Sequence, residues 1–161
     1  LWRPAMNVGY LGINRAHKPL GNQLEREAIA LAVNRQALIA NYYLPGTQAA
    51  GQFLPPAIWG YDPTIADYTY DPALARNLLA QAGYLSGFAT TLAYRNVVRG
   101  YLPDPVHTVA AIRADLLAVG IDATVAEMES GPFLDAVYAG NLPLRAVLSL
   151  WMHFRPASRC T

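Results

Sequence analysis

Arg99 is the side chain in this sequence best suited to hold an anion. Its planar guanidinium can grip a carboxylate through two parallel hydrogen bonds, and it stands in the run Val98-Arg99-Gly100-Tyr101-Leu102-Pro103-Asp104. Taken alone, the position also fits a surface arginine at a strand end. The other groups with chemistry are scattered. His17, His107 and His153 have no metal-ligand spacing, so no metal or cofactor is expected. The one cysteine, Cys160, stands next to the last residue, where a nucleophile is rarely held rigidly enough for catalysis. Asp62 and Asp67 flank a Pro-rich stretch and read as turn and capping residues rather than an acid–base pair. Tyr42, Tyr43, Tyr61, Tyr68 and Tyr70 read as a loop packed on its own lobe rather than a stacking surface. An enzyme would need a catalytic pair, and none is visible.

The elements that must position Arg99 are legible in the periodicity. Phe88, Thr90, Leu92 and Tyr94 alternate as one side of a strand, and Ile121, Ala123 and Val125 as one side of another. Between them Val106, Val109, Ile112, Leu116 and Val119 recur at helical spacing, with Pro105 at the start and Gly120 at the end. This βαβ pattern predicts parallel strands and an α/β class. A short helix is expected between Gly131-Pro132 and Gly140, and a further strand from Arg145 to Trp151. Asp71 can cap a helix whose first residue is Pro72, Leu74, Leu78 and Leu79 form its apolar stripe, and Gly83 can close it in the left-handed conformation. The stretch Pro45 to Pro63 reads as a long loop.

The order of several short motifs carries a resemblance. Phe53-Leu54-Pro55-Pro56-Ala57-Ile58-Trp59-Gly60-Tyr61 precedes Tyr68-Thr69-Tyr70-Asp71-Pro72 and the helix from Ala73 to Ala82. Upstream lie Asn7-Val8-Gly9-Tyr10-Leu11-Gly12-Ile13-Asn14 and the helix pair from Glu25 to Tyr43; downstream lie the Arg99 run and Ile112-Arg113-Ala114-Asp115-Leu116. Over roughly residues 7–144 the sequence resembles the large solute-binding proteins of bacterial ABC importers, the family 5 group of dipeptide- and oligopeptide-binding proteins. That resemblance implies a periplasmic-binding-protein-like (type II) lobe, a mixed sheet covered by helices and incomplete at its C-terminus. It implies that 1–161 is one domain, part of the second of two lobes. It also implies a ligand that is a peptide or related small solute, with an ABC-transporter permease and the first lobe of the same protein as partners.

By the same resemblance, Arg99 holds the ligand's carboxylate, Tyr101 lines the pocket, and Ser130 lies in the motif Glu129-Ser130-Gly131, where many dipeptide-binding members carry an aromatic residue. A serine there removes a stacking wall and widens the pocket. The family continues after its last strand with a Gly-Trp and Asp-Pro-Asp type segment whose aspartate receives the ligand's amino terminus. This chain instead ends in a basic tail, residues 152–161, and no acidic residue follows Asp135. That departure fits a lost reading frame, a truncation or a rearrangement.

Composition is consistent with this reading. The charged fraction is 14%, against about 25% for an average soluble domain. Part of the surface is therefore expected to be covered, by the missing lobe or by a second copy in a homo-oligomer. The formal net charge is +1 with no basic block, so nucleic acid is not an expected partner. No secretory signal is visible, which for an exported, periplasmic family implies a further N-terminal segment. A stand-alone α/β interaction module without a ligand is the competing expectation.

Overall fold

The computed structural model describes residues 7–56, 58–65 and 67–148. The chain runs β1 (Gly9–Ile13), α1 (Gln23–Ala32), α2 (Arg35–Tyr42), α3 (Pro72–Gln81), β2 (Phe88–Tyr94), α4 (Pro105–Ala118), β3 (Ile121–Glu127), α5 (Ser130–Tyr138) and β4 (Leu144–Leu148). The expected strand from Arg145 to Trp151 thus begins one residue earlier, and its last three positions lie outside the described residues, as do His153, Cys160 and the basic tail.

Side chains at the helix starts satisfy the first free N–H groups. Asp71 Oδ1 accepts from Leu74 N–H at 2.8 Å and Asp104 Oδ1 from His107 N–H at 3.1 Å, each followed by a proline at the first helical position. Asn22 and Glu25 form a reciprocal capping box at α1, which explains why Glu25 is buried. Asn34 caps α2, and its backbone N–H donates to Asp115 of α4 at 2.9 Å, pinning α2 to that helix. At the end of α3, Gly83 (φ 92°) lets Tyr84 N–H reach Leu79 O at 2.8 Å and Gly83 N–H reach Ala80 O at 3.0 Å, the paired bonds of a Schellman closure. Asp104→Ala should cost about 1 kcal/mol, the usual worth of an N-cap, and Asp71→Ala a similar amount. Thermal denaturation of the two variants measures this, and an unchanged midpoint for both would contradict it.

The strands form one mixed sheet in the order β1-β4-β2-β3. β2 pairs in parallel with β3 from Phe88↔Ile121 to Tyr94↔Glu127, as the βαβ pattern requires, and in parallel with β4. β1 pairs antiparallel with β4 from Gly9↔Leu148 to Ile13↔Leu144. Both faces are covered. Leu92, Tyr94, Ile121, Ala123 and Leu144 pack with Leu20 and residues of α1, α3 and α4 on one face. Ala93 packs with Phe133 of α5 and Leu142 on the other.

Three expectations are corrected. The buried line of α3 is Ala75 and Leu79, with Leu78 beside it, while Leu74 is 43% exposed. Against α1, the small Ala75 allows close approach, and this rotates the contact line by one residue. On β3, Ile121 and Ala123 are buried but Val125 is exposed, because the strand is at the sheet's edge and Val125 opens onto a surface depression that it shares with Val106, Ala110 and Arg113 of α4. The expected packing of the tyrosines holds only in part: Tyr42, Tyr43 and Tyr61 are half-buried, but Tyr68 and Tyr70 are exposed, as are Phe53 and Trp59, the latter at 98%. Phe53 rests edge-on against Tyr10, with ring centroids 5.2 Å apart, and polar anchors hold the rest of loop 44–71. Arg35 donates to Asp67 Oδ1 at 2.7 Å and to Tyr68 O, and Gln52 Nε2 donates to Asp62 O at 2.6 Å. Asp62 is a turn residue, accepting from Thr64 N–H and Oγ1–H, which holds its carboxyl below the usual range. Asp67 is an ion-pair partner rather than a cap.

Candidate functional site

Because β4, β2 and β3 run in parallel, their carboxyl ends lie on one edge of the sheet, and the antiparallel β1 contributes its first residue, Gly9, to that edge. Ligands of open α/β sheets bind outside the carboxyl ends of strands. The loops that leave β2 and β3 here carry all three residues singled out in the sequence, and Met128 N–H donates to Tyr94 O at 2.9 Å, tying the two loops together where they leave the sheet.

Arg99 sits at the first position of a tight turn. Its N–H donates to Leu102 O at 3.1 Å, and Leu102 N–H donates to Arg99 O at 3.0 Å. Leu102 is buried and anchors the turn, whereas Arg99 itself is exposed. Among the described residues the ion pairs are Arg35–Asp67, His107–Asp104 and the longer Arg113–Asp122 contact, so no carboxylate neutralises Arg99. Tyr101 is half-buried on the same turn. Its carbonyl oxygen lies 3.0 Å from where a Cβ on Gly9 would stand, so glycine at that strand start is what lets the turn approach β1. Ser130 opens α5 and is half-buried; its helix start has no side-chain cap from Glu129. Space beside it is open, since a Cβ on Gly131 would meet nothing within 4 Å. Ser130 and the Arg99 turn thus share an edge.

The sequence reading missed Arg95. It leaves β2 on the same side as Ala93, and its guanidinium carbon lies 5.4 Å from the centre of the Phe133 ring in α5. The strand's alternation, continued one step past Tyr94, would have placed it there. It gives the edge a second guanidinium without a carboxylate partner among the described residues.

On the other face Tyr94 O–H donates to Glu127 Oε2 at 2.6 Å, linking the last residues of β2 and β3. Burial, then the hydrogen bond and charge of Glu127, push the Tyr94 phenol up to about 12. A raised phenol pKa stabilises the fold below about pH 10, and that contribution is lost as pH rises from about 10 to about 12. Stability of the wild type should fall more steeply across this window than that of Tyr94→Phe. Urea denaturation as a function of pH measures this; parallel profiles for the two proteins would contradict it.

His17 and His107 serve structure. His17 Nε2 lies 2.7 Å from Gly140 O, and His107 Nδ1 lies 2.8 Å from Asp104 Oδ2 with its ring stacked on Tyr42. Among the described residues no cluster of three His, Cys, Asp or Glu could hold a metal ion, and no helix is long and apolar enough to cross a membrane.

The sequence and the fold have known counterparts. Residues 2–154 match the family described as bacterial extracellular solute-binding proteins, family 5 Middle. The dipeptide-binding protein of Escherichia coli is 39% identical over 138 residues, which is 86% of this chain and 26% of that protein. The solved structure of HbpA2 from Haemophilus parasuis superposes with a TM-score of 0.88 at 30% identity, covering 91% of this chain and 29% of the other. A dipeptide-binding protein from Pseudoalteromonas in complex with Met-Leu gives 0.86 at 25% identity, covering 91% and 29%. The chain therefore spans about a quarter of the length of the curated relatives it matches. The mixed sheet with covered faces is the periplasmic-binding-protein-like α/β fold, and the chain belongs to the bacterial extracellular solute-binding proteins, family 5.

Proposed function

We propose that the chain is part of the second lobe of a periplasmic, peptide-type solute-binding protein, with 1–161 as one domain, and that it takes peptides or related small solutes for an ABC-transporter permease. It binds and does not catalyse. The observation that carries this is Arg99: a guanidinium without a carboxylate partner among the described residues, on a hydrogen-bonded turn at the carboxyl edge of the sheet, with Tyr101 beside it. Such a group suits a ligand's carboxylate. The dipeptide-binding relative and the Met-Leu complex support a peptide as the solute. A serine at position 130, where many of the resembling proteins carry an aromatic residue, would widen the pocket and favour bulkier ligand side chains.

Solute-binding proteins of two lobes close around the ligand by a hinge, so one lobe holds half the contacts. The exposed aromatic loop around Trp59 is surface that the opposing lobe would cover, or a second copy in a homo-oligomer. A single exposed charge-assisted pair contributes at most about 1 kcal/mol, whereas micromolar affinity needs about 8. Calorimetry of the 161-residue chain with dipeptides should therefore show no measurable binding. Micromolar affinity in this chain alone would overturn the division of the site between lobes.

A further inference from the structure

Where β1 ends and β4 begins, level with Ala93 near the end of β2, lies an open surface cavity of about 560 Å³ lined by Ile13, Asn14, Arg15, Ala16, Val137 and Arg145. Two of the six lining residues are arginines and none is acidic. The Arg145 side chain is seated there by its cross-strand neighbour. Gly12 pairs with Arg145 in the β1–β4 register, and a Cβ on Gly12 would stand 3.1 Å from the Arg145 Cγ and Nε and 3.4 Å from Cζ. Any larger residue at Gly12 would force the guanidinium stem away, so the buried glycine makes the seat.

The seated guanidinium is incompletely paired. Arg145 Nε is buried and has no hydrogen-bond acceptor among the described residues. The nearby polar groups are already engaged: Asn14 Nδ2 donates to Gly140 O at 2.8 Å, Asn14 Oδ1 accepts from Ala16 N–H at 3.0 Å, and Asn14 N–H donates to Pro143 O at 2.8 Å. His17 Nε2 also lies against Gly140 O. These bonds fix the rim of the cavity, and none of them reaches Arg145. Arg15, exposed at the same rim, is absent from the ion pairs among the described residues. A buried, desolvated N–H donor on a cation is costly unless an acceptor reaches it, and an anion that accepts two or more N–H bonds is the natural complement.

We propose that this cavity is a second binding site, for a small oxyanion, phosphate or carboxylate, held between Arg145 and Arg15. Its lining includes neither Arg99 nor Tyr101, so it is distinct from the Arg99 turn, although Arg145 pairs with Ala93 near the end of β2. It also accounts for an arginine inside a strand whose neighbours Leu144 and Ala146 face the core.

The test is an NMR titration of backbone amides in the 161-residue chain at low ionic strength, with inorganic phosphate in one arm and succinate in the other, each matched by sodium chloride. The expected result is a saturable shift confined to residues 12–16, 137 and 145, in at least one arm, weakened at least tenfold by Arg145→Met and about threefold by Arg15→Met. The arm that saturates at the lower concentration identifies phosphate or carboxylate as the preferred chemistry. Shifts that fail to saturate, that chloride reproduces, that spread over the other arginines, or that persist undiminished in Arg145→Met would overturn the site. If circular dichroism shows Arg145→Met unfolded, the exposed Arg15→Met decides alone: weakened binding supports the site and undiminished binding overturns it.

Discussion

Gly87→Ala should unfold the protein or destabilise it by more than about 4 kcal/mol, the upper tail of single substitutions. Gly87 has φ 76°, and a Cβ there would stand 1.8 Å from Gly120 O and 2.6 Å from Gly120 C. Both are backbone atoms, so no rotamer change relieves the clash. Gly120 O also accepts the first hydrogen bond of the β2–β3 region, from Phe88 N–H at 3.1 Å, so moving it disrupts the start of the parallel pair. Gly120→Ala is the control. Its φ of 97° is equally unfavourable for alanine, but its Cβ would meet Gly87 Cα at an ordinary 3.4 Å. It should cost about 1–3 kcal/mol, the range for local backbone strain. Urea denaturation of both variants checks the ranking, and similar losses for the two would contradict it.

Phe133→Ala should cost about 3–5 kcal/mol. Phe133 is 1% exposed and is the largest fully buried side chain. It joins α5 to the sheet through Ala93 and Leu142, with Ala126, Met128, Ala136 and Val137 packed around them. A void there adds a cavity term to the lost transfer energy. Leu134→Ala, at an exposed position one residue on, should cost less than about 1 kcal/mol. Equal losses in chemical denaturation would mean that α5 does not cover this face of the sheet.

The features legible in the sequence were those set by local chemistry. Asp71-Pro72 and Asp104-Pro105 announce helix starts because cap and proline act within one turn. The alternations at 88–94 and 121–127 announce strands, and the helix between them makes the pair parallel. Non-local features were not legible. Nothing in β4 indicates that it inserts between β1 and β2, since register depends on partners far along the chain. The second face of the sheet was hidden because Ala93, although fully buried, carries too little apolar surface to stand out. Loop 44–71 was read as packed from its aromatic content, but beyond the Phe53–Tyr10 ring contact its anchoring is largely polar and runs through Arg35. At the site, Arg99 could be named from its type and its family-like surroundings. The turn that holds it, the approach permitted by Gly9, and the placing of Arg95 over Phe133 all depend on which strand ends share an edge.

The central claim is that Arg99 grips a ligand carboxylate once both lobes are present. The most direct measurement is calorimetry on a two-lobed chimera, in which residues 7–144 replace the matching stretch of the Escherichia coli dipeptide-binding protein, titrated with a dipeptide and with its C-terminal amide. The account predicts that Arg99→Ala weakens dipeptide binding by at least about 30-fold, the loss expected on truncating one partner of an enclosed charge pair. It also predicts that the amide binds about as weakly to the unaltered chimera, and that Arg99→Ala weakens amide binding little further, because both changes remove the same interaction. A chimera that binds the dipeptide tightly, with Arg99→Ala leaving the preference for the free carboxylate unchanged, would contradict it.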